Sequence, residues 1–183
     1  GVSFAPKDLS KKFVYASPIV NIAMDSTYPE GLGTFGYDDE GVPAQRADLI
    51  KDGILVGFHT SRETAAQIGQ KSNGCMRADG YHRIPIIRMT NIILQPGDWR
   101  FIELIEDTKR GLLVGVNQSW TIDDRRENFD YTAQYGYEIK NGKIGNMIKT
   151  PAFKGSTLEF WKSCDAICNR EFFQLYGLPI CGK

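Results

Sequence analysis

Much of this chain alternates between apolar and polar residues with a period of two, the pattern of strands that bury one face. Strand-like stretches run from Val14 to Asp25, Ala44 to Ile50, Ile54 to His59, Ile92 to Leu94, Leu112 to Ser119, Phe129 to Ile139 and Lys143 to Ile148. Asp52-Gly53 follows Leu49-Ile50-Lys51, and Asn141-Gly142 follows Tyr137-Glu138-Ile139-Lys140; each leads straight into another β-prone run. Asp-Gly and Asn-Gly supply the positive φ angles of a two-residue type I′ turn, so both junctions are predicted hairpins. Their likeness, Ile-Lys-Asp-Gly against Ile-Lys-Asn-Gly, follows from turn chemistry and needs no internal repeat.

Three stretches change to a helical period. Ser61 caps Arg62 to Gln70, with Glu63 in the first turn. Asp98 caps Trp99 to Arg110, where Phe101, Leu104, Ile105 and Thr108 form a stripe and Gly111 is the stop. Ser156 or Thr157 caps a helix reaching about Asn169, with Leu158, Trp161, Ala166 and Ile167 apolar. Strands joined by hairpins, with about three helices, predict an α+β fold built mostly on antiparallel sheet. There is no parallel βαβ rhythm and no Gly-x-Gly-x-x-Gly, and the glycine-rich connection Gly31 to Gly41 lacks the Lys-Ser/Thr of a phosphate loop.

A chain of 183 residues, 42% hydrophobic, is long enough for one domain with a core, expected to span residues 1–183. Lys+Arg and Asp+Glu are both 22, and that balance argues against nucleic acid as a direct partner. No apolar run reaches the ~18 residues of a membrane span, and no signal peptide is visible. Gly1 is not a native start, so the chain reads as an excised piece. The four cysteines, Cys75, Cys164, Cys168 and Cys181, contain no Cys-x-x-Cys, which suits a reducing, cytoplasmic setting.

The candidate chemistry is sparse. Cys164 and Cys168 lie four apart on the predicted third helix and read as two small core residues rather than metal ligands. His59 and His82 lack an evident orienting partner and read as polar surface or gap-filling residues. Asp38-Asp39-Glu40 is either an acid cluster or, as the adjacent Gly41 favours, a turn whose carboxylates bond local N–H groups. Arg88 and Asn91, on an extended segment, are candidate substrate-binding residues: one anchors a sheet edge while the other offers amide groups to an extended peptide. The bland reading of Arg88 is an ion pair with the Asp38 run. Trp120, Asp123, Asp124, Arg125 and Arg126 form a polar knot after a strand. No Ser-His-Asp or Cys-His pairing can be assembled, so no catalytic residue is assigned within the chain.

Five blocks point to a family. Tyr37-Asp38-Asp39-Glu40-Gly41-Val42-Pro43, Ile50-Lys51-Asp52-Gly53-Ile54, Arg88-Met89-Thr90-Asn91, Leu94-Gln95-Pro96-Gly97-Asp98 and Cys181-Gly182-Lys183 resemble the C-terminal domain of TldD/PmbA proteins. These were once called modulators of DNA gyrase and are now regarded as zinc-dependent peptidases. The resemblance runs from about Gly31 to the end and favours the TldD-like branch, although Ser119 to Arg126 replaces a more usual glycine-rich segment. It implies that zinc in the full-length parent is held by two histidines of a His-Glu-x-x-x-His helix and by a cysteine matching Cys181. That helix is absent from this chain. The resemblance therefore implies a ligand-donating and peptide-binding domain, inactive and without zinc alone, with a homologous TldD/PmbA-type subunit and extended or unfolded peptides as partners. The alternative it leaves open is a non-catalytic regulatory module.

Overall fold

The computed structural model describes residues 3–9 and 12–177. They gather into two compact units, one of Lys7–Gln95 with residues 174–177, the other of Pro96–Phe173 with residues 3–6. Both are α+β with antiparallel strand pairing, as the alternation pattern predicts.

The first unit carries β1 (Phe13–Val14), β2 (Ile22–Asp25), β3 (Arg46–Lys51), β4 (Ile54–Leu55), α1 (Arg62–Gln67), β5 (Met76–Arg77), β6 (Ile86–Ile87) and β7 (Ile92–Leu94). Five of the strands form one sheet in the order β1-β4-β3-β2-β7, and β5 pairs with β6. Within β2, Ala23 and Met24 are fully buried, and Val20, Ile50, Leu55, Ala65 and Ile93 are buried with them. Burying a side chain such as Met24 contributes about 1.5–3 kcal/mol.

The predicted strand from Val14 to Asp25 is broken. Proline at Pro18 has no N–H for a ladder, and the chain turns there, with the Val20 N–H donating to the Ser17 carbonyl. The predicted strand from Ile54 to His59 stops at Leu55, since the N–H groups of Val56 and Gly57 both turn to the Leu49 carbonyl. The hairpin forms as expected: Asp52 and Gly53 have φ of 49° and 74°. Ser61 caps α1, its Oγ accepting the Thr64 N–H while Thr64 Oγ1 accepts the Ser61 N–H, but the helix ends at Gln67 rather than Gln70.

In the second unit are α2 (Phe101–Asp107), β8 (Arg110–Val114), β9 (Asn117–Ile122), β10 (Asn128–Ala133), β11 (Tyr135–Lys140), β12 (Lys143–Lys149), β13 (Ala152–Ser156) and α3 (Thr157–Lys162). Their sheets run β13-β10-β9 and β12-β11-β8. The two longest predicted strands here each divide between both sheets. Leu112 to Ser119 divides at Gly115, whose N–H donates to the Tyr135 carbonyl, and Phe129 to Ile139 divides at Gln134, whose N–H donates to Val116. The second hairpin holds, with φ of 49° at Asn141 and 75° at Gly142. Phe129 and Phe153 pack with Phe160 of α3 and Tyr131 packs on Phe153, with ring centroids 5.0–6.2 Å apart.

Two helix boundaries need correction, and they share a cause. Residues 97–99 run alongside residues 167–169: the Gly97 N–H donates to Cys168 O, Trp99 N–H to Ile167 O, and Asn169 N–H to Trp99 O. Both segments are therefore extended. α2 begins after Arg100 rather than Asp98, with Glu103 Oε2 accepting the Arg100 N–H, and α3 stops at Lys162 instead of running to Asn169. Cys164 and Cys168 thus share no helical stripe. Gly111 lies inside β8, because the Asn141-Gly142 turn takes the carbonyls of Thr108 and Lys109.

Two glycines with similar backbone angles test how closely the hairpin is packed. Gly53 has a φ of +74°, and an added Cβ would lie 2.5 Å from the Ala16 carbonyl oxygen, whereas Gly41 at +76° has nothing within 4 Å. Left-handed strain alone costs about 1–2 kcal/mol, so Gly41→Ala should lose about that much in urea unfolding. Gly53→Ala should lose clearly more, and equal losses would show that the close approach contributes nothing.

Candidate functional site

The acidic run begins in a tight turn. Tyr37 bridges Pro43, the Asp38 N–H donates to Val42 O at 2.9 Å, and the Gly41 N–H donates to Asp38 O at 2.9 Å. Asp38 is 6% exposed. Its Oδ1 accepts the N–H groups of Glu40 (3.0 Å) and Val42 (2.9 Å), and its Oδ2 accepts the N–H of Met76 in β5 (3.1 Å). Asp39 faces the same strand: its N–H donates to Met76 O at 2.9 Å, and its Oδ2 accepts the Ala78 N–H at 2.6 Å. Glu40 reaches another element, its Oε2 accepting the Arg62 N–H at the start of α1 (2.9 Å) with the Arg62 Nε at 3.8 Å. The three carboxylates diverge rather than cluster: Asp38 Oδ1 bonds local N–H groups as the turn reading expects, while Asp38 Oδ2, Asp39 and Glu40 reach backbone groups distant in sequence. Carboxylates that accept several N–H groups make charge-assisted bonds of the stronger kind.

Arg88 and Asn91 lie in the segment between β6 and β7. The Arg88 N–H donates to Cys75 O at 2.8 Å, and the residue is half-buried. Asn91 is bound into the fold. Its Oδ1 accepts the Gly33 N–H at 2.8 Å, and its Nδ2 donates to Asp25 O at 2.8 Å and to Thr34 Oγ1 at 2.9 Å. Three of the four bonds this amide can make therefore hold the glycine-rich connection against β2. A Cβ at Gly31 would lie 2.5 Å from the Asn91 amide, so the loop has to pass without a side chain there. Between the two residues, Thr90 is buried, and no described residue bonds its Oγ1.

One network was not anticipated from the sequence. Thr60 and Asn73 are both buried; the Thr60 N–H and Oγ1–H donate to Asn73 Oδ1, each at 2.9 Å, and the Asn73 N–H returns a bond to Thr60 Oγ1 at 3.1 Å. Asn73 Nδ2 also donates to Phe58 O at 2.6 Å. The pair ties the chain before α1 to the chain before β5. Only the Ser-Asn-Gly composition at residues 72–74 hints at it, and that signals a turn without naming its partner. The polar knot at Asp123 is likewise a turn. Its carboxylate accepts the N–H groups of Glu127 and Asn128 and the Asn128 amide, and these bonds, the Asn128 side chain's foremost, hold it below the usual carboxylate range.

Potential metal donors are dispersed. Cys75 is 1% exposed, its Sγ 3.2 Å from Asn73 Oδ1 and 3.4 Å from Met24 Sδ, and burial pushes its thiol up to about 11. Burial also raises the thiols of Cys164 and Cys168. His82 is exposed and edge-on to Tyr81. The His59 Nε2 is buried with no hydrogen-bond partner among the described residues. No group of three or more His, Cys, Asp or Glu side chains able to hold a metal occurs among the described residues. These residues do not fit a zinc site, and Cys181 lies outside the described part of the chain.

Comparisons with known proteins fall on this scaffold. The family model described as the PmbA/TldA metallopeptidase C-terminal domain matches residues 1–179, beginning well before the Gly31 boundary expected from the motifs. A metalloprotease of Methanocaldococcus jannaschii is 35% identical over 91% of this chain and 36% of its own length. A zinc metalloprotease TldD homolog of Saccharolobus solfataricus is 32% identical over 72% of this chain and 29% of its own. The crystal structure of TldE from Thermococcus kodakarensis, 24% identical, superposes with a TM-score of 0.72 over 86% of this chain and 36% of that one. The chain thus spans about a third of the length of these relatives.

The half-buried imidazole of His59, with its Nε2 shielded from solvent, makes stability depend on pH. Desolvation holds His59 below its ordinary value of 6.5. As pH falls, the unfolded chain takes up this proton before the folded one, so stability is full above about pH 6.5 and declines as pH drops toward the lower folded value. Urea midpoints measured from about pH 8 to 5 should fall on the acid side. His59→Phe should flatten that fall, and an unchanged acid-side slope in the variant would place its origin in other groups.

Proposed function

The chain belongs to the PmbA/TldA metallopeptidase C-terminal domain family, and from that premise we propose that it is the C-terminal domain of a zinc-dependent peptidase acting on extended or unfolded peptides. The observation carrying this reading is the match of the family model over residues 1–179, joined by relatives named as metalloproteases. In this reading residues 1–183 act as one domain, Cys181 donates one thiolate to zinc, and the remaining ligands come from a His-Glu-x-x-x-His helix elsewhere in the full-length protein. Zinc then supplies Lewis-acid chemistry toward a peptide carbonyl. Residues 1–183 alone bind no zinc tightly and cleave nothing, since one thiolate is too few donors for a site.

Within this domain Arg88 and Asn91 contribute to the peptide-binding surface. Arg88 supplies a guanidinium, with five N–H donors and no acceptor, suited to peptide carbonyl or carboxylate oxygens. Asn91 acts by shaping the adjoining loop through its bonds to Gly33 and Thr34. The edge strands β9 and β12, exposed along nearly all their length, suit strand addition by an extended chain. The expected protein partner is a homologous TldD/PmbA-type subunit in the cytoplasm. The equal counts of 22 basic and 22 acidic residues support a peptide over a nucleic acid. No helix among the described residues is long and apolar enough to cross a membrane.

The test uses the full-length protein with and without Cys181→Ala. The wild type should carry zinc, measured by inductively coupled plasma mass spectrometry, and cleave a denatured protein substrate. The variant should lose most of the metal and at least about 100-fold in activity. A variant that keeps both would remove Cys181 from the site. A wild type with neither metal nor activity would establish the alternative, a non-catalytic partner module.

A further inference from the structure

The acidic run was singled out by its sequence, yet the peptidase reading leaves it without a task. Its position suggests one. β5 and β6 are joined by two residue pairs, Met76↔Ile87 and Arg77↔Ile86. A two-stranded ribbon that short does not hold its own register in water. Burial holds only its head, where Cys75 is buried against Met24, since Ile86 and Ile87 of β6 are exposed. What steadies β5 is its other edge, where Asp38 Oδ2 accepts the Met76 N–H, Asp39 N–H donates to Met76 O, and Asp39 Oδ2 accepts the Ala78 N–H. The two aspartates occupy the place of a third strand, with carboxylates standing in for carbonyls.

Arg88 is the next residue on that ladder. Its N–H donates to the carbonyl of Cys75, immediately before β5, and three residues later Asn91 is bound to β2 and to the Gly33 loop. The Arg88 backbone is thus held one residue along the ladder from the Met76 N–H that the Asp38 carboxylate accepts. We propose that Asp38 is a positioning residue for peptide binding, fixing through β5 the backbone from which Arg88 reaches the peptide. The inference rests on the reading of Arg88 as a peptide contact. Fixing the origin of a long side chain lowers the ordering cost paid when it binds. An amide cannot replace this carboxylate. Both oxygens of Asp38 accept N–H groups, and Asn would set a donor against one of those donors.

The experiment is a double-mutant cycle in the full-length protein, using fluorescein-labelled casein as the unfolded probe. Dissociation constants, kcat and zinc content are measured for wild type, Asp38→Asn, Arg88→Ala and the double variant. Each single substitution should weaken casein binding about five- to tenfold, with kcat within about twofold and zinc unchanged. The double variant should bind no worse than Arg88→Ala alone, the signature of one residue acting through the other. Losses that add in full, or a loss of zinc or kcat in place of affinity, would overturn the positioning role while leaving Arg88 as a contact. Casein that binds Arg88→Ala as tightly as wild type would remove the reading of Arg88 and the inference with it. Should Asp38→Asn fail to fold, Asp39→Ala removes only the exposed side-chain anchor to Ala78 and serves in the same cycle, with the same outcomes.

Discussion

A buried carboxylate with three backbone N–H groups around it organises the first unit. Asp38 is buried, and each of its oxygens is committed, to Glu40 and Val42 within its own turn and to Met76 across the gap to β5. Glu40 extends the arrangement to the first turn of α1, so one acidic turn joins the glycine-rich connection, a helix start and a short ribbon. Such a buried charge is tolerated only when hydrogen bonds replace its lost hydration, and here backbone donors supply them. Those elements bury little apolar surface of their own: Ile86 and Ile87 are exposed, and α1 buries Ala65. Hydrogen bonds carry what packing does not.

The amide clamps complete that frame. Asn73 pairs with Thr60, and Asn91 joins the Gly33 loop to β2. Each bridges segments distant in sequence with donors and acceptors that are nearly all used. The segment holding Arg88 therefore has both ends fixed. On the proposed reading this gives a peptide-facing surface a defined shape before any peptide arrives, while the metal chemistry belongs to residues outside the described part of the chain.

Local chemistry was legible wherever a residue acts on its neighbours. The Asp52-Gly53 and Asn141-Gly142 turns, the Ser61 cap and the turn closed by Asp38 Oδ1 all formed as their side chains predict, because each of these bonds lies within a few residues. Apart from the break at Pro18, which is local, the main failures lie where a distant segment competes. Asp98 is a sound cap in isolation, but the pairing of residues 97–99 with 167–169 draws both stretches out of helix. Strand lengths failed for the same reason at Gly115 and Gln134, where the chain crosses from one sheet to the other without any break in its alternation. For the candidate site, Arg88 and Asn91 were recognisable as a motif, but the Thr60–Asn73 network and the diverging targets of the acidic run were not.

The chain's own residues were enough to determine the α+β class, both hairpins, the family and the sparseness of metal donors. These depend on residue identity, short-range spacing and the φ preferences of single residues. The tertiary structure alone decided that Asp38 braces β5, that Asn91 turns inward to hold a loop, and that Cys164 and Cys168 share no helix. Those outcomes turn on which distant backbone groups find a partner. An amide or carboxylate serves equally well at a surface or inside a fold, so its type cannot say which, and only the folded chain shows where its bonds go.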